Sequence, residues 1–382
     1  MHLRTVCSSI VIVVASVLSN FQSPALADSE PSMLSDDSSS PTLPTSQEFE
    51  IPENEPAVIP QTHSPLTVKG PAAWRQVTLR YRFEEHQAVV DSLVFGPESS
   101  RILAGGGEND PRLILWSLED GDVLDSERAQ QQAVNVMALS PNGSFLAVAG
   151  DTGNIAIWDV DNGELQRLLV DHLRNLLALS ISPDSRVLVS GGLDGIRVWD
   201  LSKSRPLYTL SLLESPIYDL EIHPDGTLLI SANQSGVVEY WDLRSGQKIS
   251  DFKAHEQTVE KLAISPDGQT LITGSRDRLI RVWDIATQSL RFELKGHIGP
   301  IRGLALHPDG ATLASASNDG VMIWDLATGL RIRHLKEHRD WVKSVSFSRN
   351  GQYLATGGFD RQVLIWEPGF GEPVISTQEA KP

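Results

Sequence analysis

Residues 259–264, Val-Glu-Lys-Leu-Ala-Ile, alternate apolar and polar positions, the pattern of a half-buried strand. Ser265-Pro266-Asp267-Gly268 follows and reads as a turn, because Pro presets φ and Gly takes the left-handed position. Residues 270–273 form a second apolar run, Arg276-Asp277-Arg278 a tight connection, and residues 279–283 a third run. A fourth run, Leu290–Leu294, leads into Gly296-His297 and the next cycle. The cycle occurs seven times, and each third run ends in a tryptophan followed by a small or acidic residue: Trp116, Trp158, Trp199, Trp241, Trp283, Trp324 and Trp366. The gaps between them are 42, 41, 42, 42, 41 and 42 residues. So constant a period requires units that bury the same surface against their neighbours. Four short antiparallel strands per unit predict an all-β chain, a seven-bladed β-propeller of four-stranded antiparallel blades.

The last unit supplies only three strands before the pattern ends at Trp366. Val77–Phe83 alternates well and precedes His86, as the fourth strand of a unit precedes later histidines. It is therefore predicted to complete the last blade and close the ring, since its apolar residues otherwise have no partner. The alternative filler of that edge is 373–377.

On these features the chain resembles the WD-repeat (beta-transducin-like) family over about residues 76–367. The resemblance implies a buried network in each blade, in which a His before the first strand, a hydroxyl in the second, an Asp in the connection and the Trp bridge one another. The residue types suit this, since indole can only donate, a hydroxyl can relay and a carboxylate accepts. Four sets are complete: His172, Ser190, Asp194, Trp199; His255, Thr273, Asp277, Trp283; His297, Ser315, Asp319, Trp324; and His338, Thr356, Asp360, Trp366. The first blade has His86, Asp110 and Trp116, with Gly106 assigned to the hydroxyl position. In the second and fourth blades Gln130 with Thr152, and Leu213 with Ser235, stand in for His and Asp. A His, Asp and Ser together resemble a hydrolytic triad, but recurrence at blade spacing marks them as structural.

Composition narrows the function. The net charge of −17 excludes a phosphate-neutralising nucleic-acid surface and adhesion to anionic lipid. Arg4, an uncharged run over 6–18 and Ala25-Leu26-Ala27 read as a signal peptide, 1–27, cleaved after Ala27. The run is too short to span a bilayer as a helix; an uncleaved N-terminal anchor is the alternative. Cleavage removes Cys7, the sole cysteine, which favours a bacterial envelope, periplasmic or secreted. Residues 28–70 carry eight acids against Lys69 and little bulky apolar content, predicting a disordered acidic leader. The propeller is placed at 71–370 and a tail at 371–382.

No Gly-x-Ser-x-Gly elbow, phosphate loop or paired cysteines occur, and no cofactor or metal is expected. Gly105-Gly106-Gly107 reads as close strand packing. The resemblance implies partner binding on the wide top face, through residues flanking the buried His and Asp. Alternation assigns Trp341, Lys343 and Phe359 in the last blade, then Asn318 and Arg302, Arg276 and Glu260, and Tyr218, with Leu177, Leu193 and Asp91 elsewhere on the rim. Trp74 and Trp341 break the period and are free for another role. The leading expectation is an exported, monomeric, non-enzymatic scaffold binding a protein or peptide. A propeller hydrolase or lyase and an intracellular assembly scaffold are the alternatives.

Overall fold

The computed structural model describes residues 70–369 except 129–131, 174 and 211–214. The signal, nearly all of the leader, the 373–377 alternative, the tail, Gln130 and Leu213 lie outside the described residues. Within them stand 28 strands in seven four-stranded antiparallel sheets. Blade 1 runs Val90–Phe95, Arg101–Gly106, Arg112–Ser117 and Val123–Arg128, from inner to outer strand. Each inner strand packs beside the next, and the inner strand of blade 7, Val342–Phe347, packs against that of blade 1. This is a seven-bladed β-propeller.

Strand Val77–Phe83 is the outer strand of blade 7, paired with Val363–Pro368 from Val77 opposite Pro368 to Phe83 opposite Val363. The ring thus closes by joining the start of the described chain to its end. Phe83 stacks on Trp116 of blade 1, with ring centroids 4.9 Å apart. The Arg80 guanidinium pairs with Glu367 at 2.9 Å on the outside.

Hydrophobic cores lie between blades rather than within them. Each gathers the second and third strands of two neighbours, because a sheet buried on both faces must be covered from both sides. Trp74, expected to be free, is fully buried in a short 3-10 turn, Pro71–Arg75. It packs edge-on to Phe347 at 5.1 Å and to His307 at 6.0 Å. This turn plugs the space between blades 6 and 7, a contact that sequence spacing cannot foresee.

Two glycines in the turns carry a further load. Gly268 and Gly351 have φ of 70° and 68°, and a Cβ at either would strike the ring of His223 or His307. Those imidazoles donate from Nε2 to the glycine carbonyls, at 2.8 and 3.0 Å. Each histidine so clasps a turn of the next blade. Gly105, Gly106 and Gly107 are also held by close packing: a Cβ would lie 2.6 Å from Val134, 2.0 Å from the Asp110 carbonyl and 2.8 Å from Asp91.

Candidate partner-binding face

The top face rests on hydrogen-bonded relays. In blade 3, Trp199 Nε1 donates to Ser190 Oγ at 2.8 Å, and His172 lies 2.7 Å from that oxygen and 2.6 Å from Asp194. The indole can only donate, so the hydroxyl proton points to Nε2, and Nδ1–H is left for the carboxylate. Blades 5, 6 and 7 repeat the arrangement. His255 lies 2.7 Å from Thr273 and 2.9 Å from Asp277, with Trp283 donating to Thr273 at 3.0 Å. His297 lies 2.7 Å from Ser315 and 2.6 Å from Asp319, with Trp324 donating to Ser315 at 2.8 Å. His338 lies 2.7 Å from Thr356 and 2.9 Å from Asp360, with Trp366 donating to Thr356 at 3.0 Å.

In blade 1 the hydroxyl position belongs to Ala104, not Gly106. Ile102 pairs with Trp116, and the hydroxyl-bearing residue of a complete blade lies two beyond the tryptophan's partner, as Ser190 does beyond Leu188. The connection to Asp110 is two residues longer than in blade 3, so counting back from the Asp lands wrongly. His86 keeps Asp110 at 2.9 Å, its Nε2 is unpartnered, and Trp116 donates instead to Glu85 at 3.2 Å. Blade 4 retains the lower half of the relay, with Trp241 donating to Ser231 at 3.0 Å.

Burial opposes ionisation of Asp194, Asp277, Asp319 and Asp360. The imidazoles and backbone amides nevertheless hold all four below the ordinary carboxylate value of 3.8. Burial likewise pushes His86 and His172 below 6.5. Each folded value is depressed, so the stability it confers is present above the unfolded value and lost as pH falls through the folded one. Melting temperature is therefore expected to fall below pH 4 as these carboxylates take up protons. Between pH 7 and 5 the two histidines are opposed by Glu221, whose carboxyl burial raises to about 8. A melting temperature that holds level from pH 4 to 3 contradicts this.

Above the relays, Val342 pairs with Gly358, and the Phe359 amide donates to the Trp341 carbonyl at 2.8 Å. This brings the two rings together, edge to face at 5.9 Å, with Trp341 40% and Phe359 38% exposed. The Arg302 guanidinium lies over the Trp341 ring at 5.4 Å and that of Arg276 over Tyr218 at 5.1 Å. Glu260, expected on the surface, is buried at 7% exposure. It is ion-paired to Arg276 and approached by Arg302 at 3.5 Å, so it positions two cations instead of presenting itself. Two cations share one carboxylate, and Arg302 Nε is buried without a partner. Lys343 is ion-paired with Asp91, whose carboxylate is nearly buried and so also withdrawn from the rim. Asn318 lies over Gly299, where it accepts from Ser317 Oγ at 3.3 Å. Leu193 is exposed and Leu177 half-buried. Alternation located these residues singly; the ion pairs and ring contacts that join them across blades 4 to 7 come from the fold.

His334 and His338 stand four residues apart, a spacing that makes a metal pair on a helix. Here they lie on an outer strand and the following loop. Both His338 nitrogens are engaged, and His334 Nε2 donates to the Asp319 carbonyl at 2.6 Å. Among the described residues no group of three or more His, Cys, Asp or Glu could hold a metal ion.

Comparison with known proteins agrees with the geometry. The family described as WD domain, G-beta repeat matches residues 163–200, 204–242, 246–284, 288–325 and 329–367. Residues 107–172 match the anaphase-promoting complex subunit 4 WD40 domain. The chain is 28% identical over 172 residues to the uncharacterized WD repeat-containing protein sll1491 of Synechocystis sp., covering 44% of this chain and 48% of that one. It is 34% identical over 140 residues to the chromatin assembly factor 1 subunit FAS2 homolog of Oryza sativa, covering 33% and 28%. It is 29% identical over 139 residues to the WD repeat-containing protein srw1 of Schizosaccharomyces pombe, covering 36% and 25%. The chain thus spans a quarter to a half of these relatives' lengths. With five G-beta repeats matched over about half its length and seven blades in one ring, the chain belongs to the WD-repeat family.

Proposed function

We propose that this protein is an exported, non-catalytic scaffold of a bacterial envelope that binds a protein or peptide partner on the top face. WD-repeat proteins generally serve as protein-interaction scaffolds, which fits that role. One observation carries the site: Trp341 and Phe359, side by side and partly exposed, adjoin a cation whose Nε has no partner. Aromatic and arginine side chains dominate interface energetics. The patch suits a segment with an apolar anchor beside a carboxylate, the anchor on the two rings and the carboxylate at Arg302 and Arg276.

Export rests on the charged, apolar and small-residue order of positions 4–27. Affinity capture from the native envelope tests both parts. Mass spectrometry of the captured bait is expected to read a mature N-terminus at Asp28; a bait beginning at Met1 sinks cleavage, and recovery of the bait only from the cytoplasmic fraction sinks export. The combined change Trp341→Ala and Phe359→Ala is expected to reduce partner recovery at least tenfold, and unchanged recovery sinks the site. Hot-spot truncations cost about 2 kcal/mol or more, hence the size of the effect.

A further inference from the structure

Six of the seven interfaces between blades are sealed in one way. The outer strand of each preceding blade places a large apolar residue opposite the position three before its own tryptophan. Phe83 lies opposite Val363, Leu169 opposite Ile155, Phe252 opposite Val238, Leu294 opposite Ile280 and Leu335 opposite Val321. Leu210 takes the place beside Ile196. Each packs in the core that holds the next blade's tryptophan.

Between blades 1 and 2 that residue is Glu127, opposite Leu113, and two positions earlier is Asp125. Among the described residues, this core takes nothing from the outer strand Val123–Arg128. Trp158 is consequently the one blade tryptophan left half-buried, the other six being 7% exposed or less. Its relay is missing too. Val148 occupies the hydroxyl position, two beyond Leu146, the partner of Trp158, and Trp158 Nε1 is buried without an acceptor. An apolar cleft of about 160 Å³ remains, walled by Leu103, Leu113, Leu115, Leu139 and Trp158. Apolar cavities of roughly this size accept a benzene-sized group. Asp125, Glu127 and Asp159 line its rim, with Arg101 the single cation among the described lining residues. The cleft reaches the turns at Gly96 and Gly163, on the face opposite Trp341.

We propose that this cleft is a second docking site, which takes a bulky apolar side chain of a basic peptide segment from a partner. The apolar group fills the place that a leucine or phenylalanine fills in the other interfaces. An adjacent lysine or arginine of the segment meets the acidic rim. Charge complementarity points away from the chain's own ends, because residues 28–70 and 371–382 both carry more acids than bases.

The test uses the full chain with ¹⁵N-labelled tryptophan and a capped heptapeptide holding a phenylalanine between two lysines. Trp158→Phe identifies the Trp158 indole signal. That signal is expected to shift and saturate with the peptide. Placing alanine at the centre, or glutamates at the flanks, is expected to weaken binding at least tenfold. Glu127→Leu, which refills the cleft, is expected to abolish binding. Glu127→Lys, a rim change that leaves the core alone, is expected to weaken it at least threefold. The variant carrying Trp341→Ala and Phe359→Ala is expected to bind this peptide normally, which separates the two sites. No shift at millimolar peptide overturns the proposal. So does equal binding of the glutamate-flanked peptide, a shift that benzene alone reproduces with no gain from the peptide, or unchanged binding by both Glu127 variants.

Discussion

Replacing Phe83 by alanine is expected to destabilise the protein by about 3–5 kcal/mol, the range for truncating a buried aromatic. Phe83 is 5% exposed and belongs to a core that joins Val363 and Ile365 of blade 7 to Ile102, Trp116 and Leu118 of blade 1. It therefore holds two blades that are neighbours in the ring but lie at opposite ends of the repeat array. The stacking on Trp116 at 4.9 Å adds about 0.5–1.5 kcal/mol beyond the buried area. Guanidinium unfolding followed by tryptophan fluorescence measures the change, and the melting temperature is expected to fall by about 5–10 °C. A loss below 1 kcal/mol would mean that the ring is held shut by something other than strand Val77–Phe83.

Ser315→Ala is expected to cost about 2–4 kcal/mol, although it removes one oxygen atom. Ser315 Oγ accepts from Trp324 Nε1 and donates to His297 Nε2, and both partners are buried. Without the hydroxyl each keeps its desolvation penalty, about 1–3 kcal/mol per orphaned group. Ser315→Thr is the matched control, because Thr273 and Thr356 make the same relay in the blades on either side. The threonine variant is expected to unfold within about 1 kcal/mol of the parent, a typical limit for a well-tolerated change. An alanine variant as stable as the threonine one contradicts the relay. Blade 1 shows how the fold tolerates the same loss: Ala104 leaves His86 Nε2 alone, while Trp116 finds Glu85 instead.

Both effects concern groups whose type and spacing are visible in the chain. The period near 42 residues, the apolar runs of the strands and the recurring His, hydroxyl, Asp and Trp all follow from local demands. A strand with one face toward each neighbouring blade must be apolar on both, and a buried donor must meet an acceptor. Those demands repeat wherever the unit repeats, so the ring, its closing strand and four complete relays were legible without coordinates. The exposed pair Trp341 and Phe359 was legible for the same reason, since both flank relay residues at set offsets.

What the tertiary structure alone decided is what depends on residues far apart in sequence. The burial of Glu260 comes from Arg302, 42 residues away in the next blade, as well as from Arg276 in its own. Trp74 breaks the period yet is core, because Phe347 and His307 happen to meet it. The hydroxyl position of blade 1 is Ala104 because pairing is counted across strands, and a connection two residues longer misleads counting along the chain. The cleft beside Trp158 exists because Glu127 stands where six other blades place an apolar residue, and that comparison needs the register of every outer strand. Sequence alone determined the repeat, because each blade meets the same local rules. Only the closed ring decided which side chains are covered, paired or left open, because those outcomes are set between blades.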